Sequence, residues 1–217
     1  EHKGIGHPDT MCDALAEGLS VALCRFYLER FGAIFHHNVD KALLRGGVSR
    51  PAFRGGSVLA PMEIYLAGRA TASVEGVAVP VTSLALESAR AFLRATLHDL
   101  DVERDVKLHC LVRPGSADLV ELYRRGSEAK RWLANDTSLG AGYAPLSPLE
   151  RTVLAVGHEL RRLAGDPRWP ELGEDVKVMG VRRGAAIRLT VAAAFIGRHL
   201  EGMARYLQRR EDLARRL

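Results

Sequence analysis

No apolar run in this chain reaches the roughly 20 residues that a helix needs to cross a bilayer. The longest, such as Leu189 to Gly197, are cut short by charge, which excludes a helical membrane protein. No secretory signal is read, and because the sequence opens on Glu1 rather than a methionine, its native start is expected to lie elsewhere. Cysteine is scarce: Cys12, Cys24 and Cys110 form neither an even set nor a CxxC pair, which argues against a disulfide framework and a zinc knuckle. They read as small buried residues of a reducing, cytoplasmic protein. Low-complexity segments and close internal repeats are also missing.

What is present is ample for a core. The 217 residues are 47% apolar, enough for one large or two small domains. The net charge of +5 sits in the tail, where residues 182–217 hold nine arginines against Glu201, Glu211 and Asp212. A basic tail can indicate nucleic acid. Here Ile196, Leu200, Met203 and Leu207 keep a helical apolar stripe between the arginines, and Tyr206 is the lone interleaved aromatic from Gly197 onward. The solvated face of a surface helix is therefore expected, with no nucleic-acid partner.

Along the chain, Leu15, Leu19, Leu23 and Phe26 predict an amphipathic helix over about 10–31, ending near Gly32. Short β-prone runs follow, punctuated by Gly46-Gly47 and Gly55-Gly56 as hairpins, then a strand from Ser57 to Thr71. Pro80 leads a helix to about His98, and residues 105–112 read as a strand. Ser147 and Glu150 have capping-box spacing ahead of a helix to Leu163. Strands near 175–180 and 186–195 are split by Arg182-Arg183-Gly184, before the tail helix. Strand and helix alternate without even βα units, which favours α+β over a doubly wound sheet. Three parts are expected: a first α+β lobe over 1–115, active-site loops over 116–142, and a second lobe over 143–217.

The most informative stretch is Glu1-His2-Lys3-Gly4-Ile5-Gly6-His7-Pro8-Asp9. Its glycines let backbone approach a ligand, and it delivers His7 and Asp9 to the positive end of the following helix, which suits polyphosphate and metal chemistry. A plain helix start, with Asp9 or Thr10 as N-cap and Asp13 closing the box, reads the same residues equally well. Four further polar clusters stand out: His36-His37-Asn38-Val39-Asp40-Lys41, Ser116-Ala117-Asp118, Ala134-Asn135-Asp136-Thr137-Ser138, and Gly173-Glu174-Asp175-Val176-Lys177-Val178-Met179-Gly180. Each has a structural reading. His36 and His37 would face opposite ways on a strand, which favours a structural role for at least one. Asp118 can cap a helix, Asn135 and Asp136 suit turns, and Asp175 with Lys177 can form an exposed pair.

Together and in order, KGIGHPD with CDALAE, FGAIFHHNVDK, GRAT, GSADLVEL, LANDTSLGAGYAPLS and GEDVKVMG resemble the S-adenosylmethionine synthetase family in its divergent, archaeal-type form. The resemblance implies an α+β fold of repeated lobes, mixed sheets covered by helices, here incomplete because family subunits are nearly twice as long. It implies ATP and L-methionine as substrates, with triphosphate displaced from the ribose 5′ carbon and cleaved to phosphate and pyrophosphate. Mg²⁺ and K⁺ are the implied cofactors. His7 matches the histidine beside the bridging oxygen, Asp9 a Mg²⁺ ligand, and Lys177 the phosphate-contacting lysine. Asp136 matches the aspartate facing methionine, and Asp175 the one near the ribose and amino acid. Ser116 and Asp118 match the mobile loop, and Glu1 an acid of the same pocket, with Asp40 and Lys41 bordering it. No ligand for K⁺ is assigned. The family dimer places its sites between subunits, so a homodimer or larger homo-oligomer is expected, or a partner chain that completes the site. A non-catalytic member that modulates a full-length synthetase is the alternative.

Overall fold

The structure, a computed structural model, describes residues 1–129 and 139–217. Among these described residues, ten strands and six α-helices follow in the order β1 (His2–Lys3), α1 (Pro8–Phe31), β2 (His37–Arg45), β3 (Val48–Ala52), β4 (Gly55–Ala60), β5 (Met62–Ala70), β6 (Ser73–Val74), β7 (Val77–Ala78), α2 (Val81–Thr96), α3 (Val102–Asp105), β8 (Val106–Arg113), α4 (Ala117–Glu128), α5 (Pro148–Ala164), β9 (Leu172–Arg183), β10 (Ala186–Phe195) and α6 (Met203–Arg216). The architecture is α+β, as expected, with two helix-covered sheets. Among the described residues no helix is long and apolar enough to cross a membrane. Cys12, Cys24 and Cys110 are free thiols.

The first core forms where α1 and α2 cover the sheet β2-β5-β8. Residues Met11, Leu15, Leu19, Leu23 and Tyr27 recur every fourth position and are all buried, so the apolar stripe of α1 closes on Tyr27, with Phe26 partly buried beside it. The Tyr27 hydroxyl donates to the Thr71 carbonyl at 2.8 Å, and burial pushes its pKa up to about 12. Gly32, at φ 73°, ends the helix in the left-handed conformation that glycine tolerates. β2 and β5 pair antiparallel, while β5 and β8 are parallel, joined by the α2 crossover.

The second core packs α5 on the antiparallel sheet β1-β9-β10. Ser147 and Glu150 form the full capping box. Leu160 and Leu163 of α5 and Leu172 and Val178 of β9 are fully buried. The first strand thus leaves the lobe that follows it in sequence: His2 pairs with Val178 and Lys3 with Lys177.

Three expectations need correction. The single strand over Ser57 to Thr71 is two, β4 and β5, parted at Pro61, which has no N–H for a ladder. Gly55-Gly56 begins β4, and the hairpin turns instead at Phe53-Arg54, where Arg54 takes φ 59°. The tail helix starts only at Met203, so Ile196 and Leu200 precede it, and Leu213 is its buried anchor.

The tail is not uniformly solvated either. Arg209 lies 3.6 Å from the centroid of the Trp169 ring, and its guanidinium pairs with Glu171, with side chains 11% and 4% exposed. Breaking a buried pair on one side leaves the other charge unpaired, at a cost of about 3–5 kcal/mol. Arg209→Met is therefore expected to lower unfolding free energy by roughly that amount in urea titrations. A loss below about 1 kcal/mol would show that α6 is held by its other contacts, Leu213 and the Tyr206–Phe195 ring pair among them.

Candidate functional site

The antiparallel register of β1 on β9 builds the site. Gly4 N–H donates to the Val176 carbonyl at 2.8 Å and Gly6 N–H to the Glu174 carbonyl at 3.1 Å, so the glycine turn continues the ladder before it breaks away. A Cβ on Gly6 would stand 2.6 Å from the Glu174 carbonyl carbon, closer than packing allows, so glycine is required there for the close approach. On the other face of the sheet, the His2 ring fits over Gly157 of α5.

α1 then starts differently from expectation. His7 is the N-cap, Pro8 occupies the first turn, and the His7 Nδ1 accepts from the Asp9 N–H at 3.2 Å. Neither Asp9 nor Thr10 is the cap. An aromatic ring does the work usually given to Ser, Thr, Asn or Asp, which is why residue preference missed it.

Around this turn four charges alternate. Lys3 Nζ pairs with Asp9 Oδ2 and lies 3.5 Å from Glu1 Oε1. Lys177 Nζ lies 3.1 Å from Glu1 Oε2. Hydrogen bonding and attraction from Lys3 hold the Asp9 carboxyl below its usual range, and Lys177 does the same for Glu1. Lys3 was not among the expected site residues. The signal lay in the strand period, which puts Glu1 and Lys3 on one face. Asp175 and Lys177 share the exposed-side face of β9, opposite Val176 and Val178, but they do not pair, because Glu1 takes Lys177. The protein packed around the Asp175 carboxyl raises its pKa although the residue as a whole is exposed, and the nearby His7 ring offsets this in part.

The other expected residues are placed as follows. Asp40 and Lys41 pair with each other at 2.6 Å on β2, and no hydrogen bond or ion pair among the described residues joins them to the Glu1–Lys177 cluster. His37 is held structurally: Nε2 meets Ser20 Oγ at 2.9 Å and Nδ1 faces the Phe35 carbonyl at 2.9 Å. His36 packs edge-on to Tyr123, and burial lowers its pKa. Ser116 is exposed and directly precedes α4. Asp118 falls inside the first turn of that helix rather than ahead of it. Asp136 lies outside the described residues. A cleft of about 490 Å³ opens behind the turn, lined by Gly4, Ile5, His98, Arg161, Glu174 and Val176 among others.

No group of three or more His, Cys, Asp or Glu side chains converges on a metal-sized point among the described residues. The arrangement is a pair of ammonium groups and a helix N-terminus, held beside two exposed carboxylates. Such a site suits a polyanion that displaces the carboxylates from the lysines.

The family model described as S-adenosylmethionine synthetase (AdoMet synthetase) matches residues 1–217. Among similar proteins, one named probable S-adenosylmethionine synthase, from Aquifex aeolicus, is 49% identical over 99% of this chain and 54% of its own length. S-adenosylmethionine synthases from Methanothrix thermoacetophila and Methanocaldococcus jannaschii are 45% and 43% identical, over 98% and 95% of this chain and 53% and 52% of theirs. The chain spans about half the length of these curated relatives.

Gly6→Ala is expected to cost about 1–3 kcal/mol by forcing the turn off β9. Gly18→Ala, in the interior of α1 where a Cβ meets no atom within 4 Å, is expected to stabilise by up to about 1 kcal/mol. Thermal melts of both variants check the contrast; equal shifts would remove the close-approach argument.

Proposed function

Because the chain belongs to the S-adenosylmethionine synthetase family, we propose that it carries a major part of a site forming S-adenosylmethionine from ATP and L-methionine, with phosphate and pyrophosphate released. One observation supports this reading above the others. The pairing of Lys3 with Lys177 gathers the His-Pro-Asp turn, Asp175 and Lys177 at one point, though they lie at opposite ends of the sequence.

Displacing triphosphate from the ribose 5′ carbon builds negative charge on the leaving group, so fixed donors aimed at it lower the barrier. With Nδ1 accepting from the Asp9 amide, a neutral His7 ring carries its proton on Nε2. That N–H is the donor it offers to the bridging oxygen. Lys177 exchanges Glu1 for a phosphate oxygen, and Lys3 can do likewise as Asp9 is freed. Asp9, a single carboxylate 64% exposed, fits a Mg²⁺ that takes its remaining ligands from phosphate and water. When bound, the ion supplies further neutralisation of the leaving triphosphate. K⁺ is carried by the resemblance alone, and none of these residues is assigned to it.

The methionine thioether is already nucleophilic and needs no general base. Its product is a sulfonium cation, which favours nearby carboxylates, and Asp136 and Asp175 are proposed for that role. The Asp175 carboxyl is raised by the protein around it, so it gains more from an arriving cation than a fully hydrated acid would. Ser116 and Asp118 are proposed for the loop that closes over the substrates. A homodimer or larger assembly completes the site in this reading, in the cytoplasm.

The second reading concerns residues 1–217 by themselves: they span about half the length of the curated relatives, and would bind ATP as a half-site that turns over only when the remaining portion or a partner synthetase completes it. Incubation with ATP, methionine, Mg²⁺ and K⁺, followed by mass-spectrometric detection of S-adenosylmethionine, separates the two: product from the chain alone supports the first, product only on adding a partner supports the second. In whichever assembly is active, Lys177→Ala and His7→Ala are expected to lower turnover by roughly 10²–10³-fold, with little change in melting temperature for Lys177→Ala and, for His7→Ala, no more than the roughly 0.5–2 kcal/mol that losing the α1 N-cap costs. Parallel losses of activity and stability would count against their roles. Asp9→Asn is expected to raise the Mg²⁺ requirement; an unchanged requirement removes it from the metal site.

A further inference from the structure

We propose that His98, held as an imidazolium between Glu174 and Pro170, is a positioning residue for the glycine turn. His98 follows the C-cap of α2, in the first lobe, yet all its polar contacts reach the second. Its Nδ1 meets Glu174 Oε1 at 2.5 Å, its backbone N–H donates to the same oxygen at 3.2 Å, and its Nε2 faces the Pro170 carbonyl at 3.1 Å. Both ring nitrogens therefore face acceptors. A neutral imidazole carries one N–H and would set a lone pair against one of them. The cation satisfies both.

Glu174 is gripped from two sides. Its side chain is held by His98, and its carbonyl accepts the Gly6 N–H. A Cβ on Gly6 would stand 2.7 Å from the Glu174 Cβ, so the turn has no slack against this residue. Asp175 comes next in the chain, with Lys177 two residues further on the same strand face. The acid thus transmits the position of the α2 terminus to the turn and to the strand that carries both. His98 acts through Glu174, from the opposite sheet face, and touches none of the charge cluster.

The charged groups around His98 come from several elements. Glu174 lies on β9. Asp99, next in the chain, pairs with Arg198 at 3.1 Å and His199 at 3.3 Å. The His199 ring stacks 6.4 Å away, and Arg94, Arg161 and Asp166 line the cleft that His98 borders. Burial pushes the His98 pKa down, but Glu174, the Pro170 carbonyl and Asp99 more than offset this, leaving it above the usual 6.5. The sign follows from a folded value above the unfolded one. The contribution is fully present below about 6.5 and is lost as pH rises through the raised folded value.

Side-chain NMR of His98, assigned by its loss in His98→Gln, tests the proposal on the full chain. The ring is expected to titrate above the usual histidine value, and the Gly6 amide resonance to shift with the same midpoint in the wild type but not in His98→Gln. Glu174→Gln should lower the His98 midpoint, which keeps the test decisive if His98→Gln fails to fold. A midpoint at or below the usual value, or a Gly6 amide indifferent to it, overturns the proposal. These readouts need no substrate, so the coupling can fail while the adenosyl-transfer reading stands, and the reverse.

Discussion

A two-residue strand brings the glycine turn to Lys177. The pairing of His2 with Val178 and Lys3 with Lys177 is short, and two backbone bonds from Gly4 and Gly6 extend it. Without it the His-Pro-Asp turn would sit at the end of α1 with only first-lobe residues around it. With it, one site draws on both hydrophobic cores. The His2 ring against Gly157 and the His98–Glu174 contact clamp the same junction from the other sheet face. The strength of the join is therefore distributed over packing, ladder and side-chain bonds rather than resting on the two paired residues.

The charge pattern at the join follows a different logic from the charge pattern in the core. Glu1, Lys3, Asp9 and Lys177 are all substantially exposed, so water screens each pair and none contributes much to stability. Arg209 and Glu171 are nearly sealed from solvent, and there the partner of a lost charge would be stranded. Weak pairs suit a place where ligands must be exchanged. Strong mutual dependence suits the place where a helix must stay down.

Local signals in the sequence translated well. The period of α1, the Gly32 stop, the Ser147–Glu150 capping box and the turn at Gly184 are all chemistry within a few residues, and all appear in the structure. The failures were of two kinds. Pro61 sits inside an apolar run that otherwise reads as one strand, and a histidine cap lies outside the usual preference list. The second kind is non-local: no pattern in Glu1-His2-Lys3 announces that its partner strand is β9, so nothing local points to Lys3, and the sequence leaves open an Asp175–Lys177 pair where the structure gives Lys177 to Glu1. The motifs resembling a known family named His7, Asp9 and Lys177 together, but only the register shows why residues so far apart in sequence are neighbours.

That same pairing sets an order of events. Helix α1 and the β2-β5-β8 sheet can close over contacts made within the first 113 residues, whereas β1 must wait for β9, and loops of that length are slow to close. During synthesis the turn therefore remains an open, uncommitted segment until β9 has emerged. A product ended before β9 would carry a folded first core and the glycine turn, yet leave Glu1 and Lys3 without the Lys177 strand beside them.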